Sequence, residues 1–236
     1  MTDSVKDSGS RVHRGSLEAI LGVSVKPEIL DLALTHRSYA YEHGGAPHNE
    51  RLEFLGDSVL GLSMTAELYR EYPDHSEGEL AKMRSAVVSE VALSKVAREL
   101  GLGRFIKLGR GEERTGGRDK SSILADTMEA IFGAVYLDQG IEVAEALVLR
   151  LIRPLLADPE RMSAAHDPKT ALQEIAAARQ QEPPRYEMTS TGPDHNRVFT
   201  ATVIVGTLVS ATGSGTSKKQ AEMAAALEAW TNLNKA

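Results

Sequence analysis

The chain changes its period at "ADPERMSAAHDP", residues 157–168. Before that stretch, apolar residues recur at helical spacing. After it, β-branched and aromatic residues alternate at every second position. The stretch itself carries two prolines and mixed charge, and reads as a linker. One layer architecture cannot accommodate both periods. The sequence therefore predicts an all-α N-terminal domain and an α+β C-terminal domain. The expected boundaries are a disordered polar segment at 1–15, the helical domain at 16–156, the linker at 157–167 and the α+β domain at 168–236.

In the first part, "KPEILDLALTHRS" places Pro27 in the first turn of a helix. "HNERLEFLGDSVLGLSMTAELYREY" predicts one long helix stopped near Pro73. "SEGELAKMRSAVVSEVALSKVARELGLG" predicts a helix opening at Ser76, with Glu79 at capping-box spacing, and closing at Gly101. "GRGEERTGGRDK" reads as a charged, glycine-rich loop. "SSILADTMEAIFGAVYLDQG" predicts an amphipathic helix, and "IEVAEALVLRLIRPLL" follows it. In the second part, "KTALQEIAAARQQ" predicts a short helix. "PRYEMTST", "NRVFTATVIVG" and "TLVSATGSG" predict strands, and "SKKQAEMAAALEAWTNL" a helix capped by Ser217. The order is α-β-β-β-α.

Composition excludes some chemistry. The chain has no cysteine, so disulfides and thiolate metal sites are ruled out. Its N-terminus lacks the apolar core of a secretory signal, and no run approaches a membrane span. These features lead us to expect a cytoplasmic chain with no membrane association. The net charge of −6 argues against a broadly basic nucleic-acid binder. The charge is uneven, however. Residues 168–236 hold seven Lys/Arg and six Asp/Glu, a net of +1, which leaves −7 on the remainder.

Clustered acids stand out in the acidic part. In "HNERLEFLGDSVLG", Glu50, Glu53 and Asp57 fall within about a 60° sector of a helix turning roughly 100° per residue. Leu52, Leu55, Val59 and Leu62 fall on the other side. In "ILADTMEAIFG", Asp126 and Glu129 share a face, while Ile123, Ile131 and Val135 point away from it. Taken alone, each acidic stripe reads as a solvated helix face. The alternative is a divalent cation relieving the repulsion between acids. If the two helices pack face to face, Glu53, Asp57, Asp126 and Glu129 meet. An all-oxygen cluster suits Mg²⁺ or Mn²⁺. Glu77, at a helix start, is a further candidate, although its spacing alone favours a first-turn glutamate stabilised by the helix dipole. Metal held by carboxylates is suited to phosphodiester hydrolysis.

"HNERLEFLGDSVLG" closely resembles the signature of the ribonuclease III family of double-strand-specific endoribonucleases. "LTHRS" upstream and "SSILADTMEAIFGAVYLD" downstream resemble the same family in the same order. The segment from Lys169 to Leu233 resembles its double-stranded-RNA-binding domain. The resemblance implies that Glu53, Asp57, Asp126 and Glu129 are metal-binding carboxylates, with Asp57 and Glu129 tied most closely to cleavage. It implies that Glu50 and Glu77 line the cleft and that Phe54 enters a socket on the partner subunit of a homodimer. Thr170, Gln173 and Glu174 match residues that touch the minor groove. His195 matches a strand-loop residue that enters the next minor groove. Lys218 and Lys219 stand at a helix N-terminus, where free N–H groups and the dipole favour phosphate. Glu222 stands where many such domains of other proteins carry a basic residue. The expected activity is Mg²⁺-dependent cleavage of both strands of duplex RNA, leaving 5′-phosphate and 3′-hydroxyl ends. It extends to processing of ribosomal and transfer RNA precursors and structured mRNA. The rivals are a non-cleaving duplex-RNA-binding regulator and, more distantly, a phosphohydrolase of small metabolites.

Overall fold

The computed structural model describes residues 15–157, 164, 167–193 and 197–235. The expected disordered segment before Gly15, most of the expected linker, and His195 lie outside them. The described residues form two compact units, parted after Ala157.

The first unit is helical. It contains α1 (15–21), α2 (Pro27–Ala33), α3 (Arg37–Glu42), α4 (Glu50–Glu71), α5 (Glu77–Val87), α6 (Glu90–Glu99), α7 (Arg110–Arg114), α8 (Ser121–Gln139) and α9 (Ile141–Ile152). The β-structure among the described residues of this unit is an isolated parallel bridge between Thr35 and Lys107. It separates α2 from α3, where the sequence alone suggested one continuous stretch.

Two expectations are corrected here. The helix opening at Ser76 does not run through to Gly101. It ends at Val87, and a second helix starts after Ser89, whose hydroxyl accepts the Ala92 N–H at 3.2 Å. A serine that caps offers the backbone an alternative to continuing the helix. The capping box at Ser76 and Glu79 is present as expected. The loop "GRGEERTGGRDK" also contains α7 and a short 3₁₀ turn at Gly117–Asp119.

Helix α8 is the central element, packed by α2, α4, α6 and α9. It is not amphipathic. Between Ile123 and Val135 every residue is buried except Asp126 and Glu129, which are half-buried. A helix apolar all round belongs in a core. Its two acids are therefore exceptions within a core helix rather than members of a solvent face. Thr127, also buried, returns its hydroxyl to the Ile123 carbonyl at 2.7 Å. On α4, Leu52, Val59, Leu60, Met64 and Leu68 are buried. Leu62, expected on the core side, is 61% exposed. The helix buries Ser63 and Glu67 instead, so its inward face lies to one side of the wheel's estimate.

The second unit contains α10 (Pro168–Ala178), β1 (Arg185–Thr191), β2 (Val198–Val205), β3 (Val209–Gly215) and α11 (Lys218–Lys235). The strands form an antiparallel sheet in the order β1-β2-β3. Ala201, Val203 and Val205 bury one face of β2 against alanines 221, 225, 226 and 229 of α11. The alternation read from the sequence is thus the alternation that packs. Leu172 and Ala176 of α10 and Leu233 of α11 complete this core.

Candidate functional site

The acids meet because two backbones touch. A Cβ on Gly56 of α4 would stand 1.7 Å from the Glu129 carbonyl oxygen of α8. One on Gly133 would stand 2.3 Å from the Leu52 carbonyl oxygen. No side chain fits at either position. This contact sets Glu53 beside Asp126 and Glu129, and one carboxylate oxygen of each lies within 4.8 Å of the others. The donor set is oxygen only, which fits a hard divalent cation.

Without a counter-charge the arrangement is electrostatically costly. Burial, and then the charges of Asp57, Asp126 and Glu53, push Glu129 up to about 8. Glu53 is raised by burial first and then by Asp126 and Glu50, with Arg37 opposing. Asp126 is raised by burial and then by Glu90, again against Arg37. Asp57 is exposed, one turn beyond Glu53, and its oxygens fall outside the close group of three. Its charge still reaches Glu129.

A cavity of about 480 Å³ opens beside Glu53 and Asp126. Glu50, Glu53 and Asp126 line it, together with His36, Arg37, Asn49, Glu112 and Lys120. Arg37 reaches Glu50 at 3.5 Å, and Lys120 pairs with Glu112. Asn49 occupies the N-cap position of α4, yet its side chain makes no capping bond. It is 2% exposed, and its Nδ2 has no protein partner. Glu77 stands apart from this group, lining a separate cavity with Tyr69, Leu80 and Arg84. Phe54 is 79% exposed, adjacent in sequence to Glu53.

Sequence reasoning missed His36, Arg37, Asn49, Glu90 and Lys120 as members of this neighbourhood. For His36, Arg37, Asn49 and Lys120 the signal was proximity to quoted motifs, as in "LTHRS" and "HNERLEF". Glu90 carried none, because the break at Ser89 that brings it near Asp126 was not foreseen.

In the second unit, Thr170, Gln173 and Glu174 are exposed together on α10. Lys218 and Lys219 are exposed at the start of α11, where the Ser217 hydroxyl accepts the Gln220 N–H at 3.2 Å. Glu222 does not stand free. It pairs with Lys169 at 2.6 Å, joining α11 to α10. The Lys169 ammonium also sits over the Tyr186 ring, 4.7 Å from its centroid.

These two units have known counterparts. A family model described as Ribonuclease-III-like matches residues 26–155, and one described as Double-stranded RNA binding motif matches residues 168–233. Ribonuclease 3 of Leifsonia xyli subsp. xyli (strain CTCB07) is 63% identical over 225 residues, covering 95% of each chain. Ribonuclease 3 of Nocardia farcinica (strain IFM 10152) is 57% identical over 236 residues, covering 99% of this chain and 98% of that one. The nuclease domain of ribonuclease III from Campylobacter jejuni, in a structure concerned with flexibility where its dimer forms, is 43% identical. It superposes with a TM-score of 0.56, covering 59% of this chain and 95% of that one.

Proposed function

The chain belongs to the ribonuclease III family, and from that premise we propose that it hydrolyses both strands of duplex RNA with a divalent cation held by Glu53, Asp57, Asp126 and Glu129. The observation that carries this is the convergence of Glu53, Asp126 and Glu129 from α4 and α8, beside a cavity that Glu53 and Asp126 line. The chain also carries a double-stranded-RNA-binding domain. Nothing among the described residues favours a non-cleaving regulator.

A bound Mg²⁺ or Mn²⁺ supplies Lewis-acid polarisation of the phosphodiester and acidification of water. The protein supplies the rest. Glu53, Asp126 and Glu129 present oxygens from rigid helices, so little reorganisation accompanies binding. Asp57 and Glu129 stand closest to the reaction in the proposed arrangement. Glu50 is held by Arg37 at the cavity wall, and Glu77 is assigned to the wider cleft. Water's oxygen bonds to phosphorus, the bond from phosphorus to the 3′ oxygen breaks, and a proton goes to that oxygen. The products carry 5′-phosphate and 3′-hydroxyl ends.

Duplex RNA hides its major-groove edges, so recognition rests on shape, 2′-hydroxyls and phosphates. We assign minor-groove contact to Thr170, Gln173 and Glu174 and phosphate contact to Lys218 and Lys219. His195 is assigned to the next minor groove. Exposed Phe54 suits an interface between two copies of the chain, giving a homodimer with two cleavage sites. The substrates we propose are ribosomal and transfer RNA precursors and structured mRNA, which places the protein in the cytoplasm. Among the described residues, no helix is long and apolar enough to cross a membrane.

Purified protein, duplex RNA and Mg²⁺ test the proposal. Cleavage to 5′-phosphate ends is expected with Mg²⁺ and none with chelator. Intact RNA in the presence of folded protein and Mg²⁺ would sink it.

A further inference from the structure

The imidazole of His36 is fixed in one tautomer beside the acids. Its backbone N–H donates to the Lys107 carbonyl at 3.1 Å, next to the bridge at Thr35. Its Nδ1 accepts the Ser38 backbone N–H at 3.2 Å and lies 2.8 Å from the Ser38 hydroxyl. That hydroxyl accepts the Gly109 N–H at 2.9 Å, which leaves its own proton to point at Nδ1. A backbone amide can only donate. Nδ1 is therefore an acceptor, and the proton of the neutral ring sits on Nε2. Burial holds the imidazole below its ordinary pKa, against the opposing charge of Glu112, which favours this neutral form.

His36 lines the cavity that holds Glu50, Glu53 and Asp126. The cations nearby are engaged, Arg37 with Glu50 and Lys120 with Glu112. No protein group takes the Nε2 proton among the described residues. A protonated Nε2 cannot ligate a metal, but it can donate to an anion. Being neutral, it does so without repelling a cation held by the carboxylates.

We propose that His36 is a substrate-binding residue of the cleavage site, its Nε2–H donating to a phosphate oxygen of the RNA strand being cut. This rests on the nuclease reading above and adds a contact to it.

The two amide replacements of histidine separate donor from cap. His36→Asn keeps an acceptor near Nδ1 for the Ser38 N–H but withdraws the outer donor. His36→Gln keeps an N–H near Nε2 but loses the cap. We expect His36→Asn to melt like the wild type, bind Mn²⁺ alone with unchanged affinity by calorimetry, and cleave roughly ten- to a hundredfold more slowly in single turnover. We expect His36→Gln to melt lower yet recover most of the rate. The reverse order, equal loss in both, or no loss in either overturns the assignment, as does weakened Mn²⁺ binding by His36→Asn. A wild-type measurement covers the case in which a variant misfolds. In chelator, duplex RNA should shift the His36 Nε2 nitrogen resonance more than that of Nδ1, and an unmoved Nε2 overturns the proposal. If the wild type itself fails to cut with Mg²⁺, the nuclease reading fails rather than the role of His36.

Discussion

Each unit rests on a helix brought unusually close to its neighbour, and the two close approaches serve opposite ends. In the first unit, glycines at 56 and 133 let α4 and α8 touch backbone to backbone, and the contact concentrates like charge. In the second, Gly213 of β3 lets α11 approach, since a Cβ there would stand 2.1 Å from the Ala225 nitrogen. That contact buries alanines and valines and leaves Thr170, Gln173, Glu174, Lys218 and Lys219 on exposed faces. Its buried polar group, Tyr186, is pushed up to about 12 by burial and the nearby Glu222 charge, so it stays neutral at physiological pH. One unit thus holds Glu53, Asp126 and Glu129 half-buried, each with its pKa raised by burial and by neighbouring acids. The other displays its assigned groups in ordinary surroundings. Close packing creates a reactive site only where it forces together groups that would otherwise separate.

The sharpest way to break this contrast is Glu129→Gln. Cleavage should fall by about a thousandfold or more in single turnover. The metal-free melting temperature should rise, because a repelled acid is removed. A lower melting temperature would mean that the acids are not in conflict. Next come the glycines. Gly56→Ala and Gly213→Ala should each cost about 3 kcal/mol or more in denaturant melts, because backbone stands where the methyl must go. Only the first should destabilise the nuclease unit. Hydrogen exchange, read unit by unit, checks whether the damage stays local.

A third test uses pH. An acid whose folded pKa is raised holds its proton in the folded state over a range where the unfolded state has lost it. The unfolded state then binds fewer protons, so stability falls as pH rises. For Glu129 that window runs from about 4.5 to about 8. The metal-free nuclease unit should lose stability across it, and saturating Mg²⁺ should flatten the loss. Metal binding at neutral pH should also release protons, seen as a buffer-dependent heat in calorimetry. The second unit should show no such slope from Tyr186. The smallest effect is expected at the RNA-facing helix. Replacing Lys218 and Lys219 with alanine should reduce the salt dependence of duplex binding by about one phosphate contact each. Melting should stay unchanged.

Much of the fold was legible. The period change at 157–168 separated the units, and the alternation in β2 marked a strand with two distinct faces. The helical wheel gathered Glu53 and Asp57, and the spacing of Asp126 and Glu129 gave their partners. What failed did so for local reasons. Ser89 looked like one more polar residue on a long helix until it capped a new one. Leu62 looked apolar and therefore inward, but α4 buries Ser63 and Glu67 instead. Helix α8 looked amphipathic because its acids were counted as a face, when they are two exceptions in a buried element. The wheel also could not show that Lys169 takes up the charge of Glu222.

The sequence by itself determined which residues are chemically able to hold a cation, which segment changes from helix to sheet, and which family the chain resembles. These follow from side-chain chemistry and from periods of 3.6 and 2, both properties of a few neighbouring residues. Only the tertiary structure decided that Glu53, Asp126 and Glu129 converge while Asp57 stands at their edge. It alone showed that His36, 17 positions before Glu53 in the chain, lines one cavity with Glu53 and Asp126. Those outcomes depend on how closely α4 and α8 approach and on where the bridge at Thr35 turns the chain. Such distances are set by contacts between residues far apart in sequence, which no local pattern encodes.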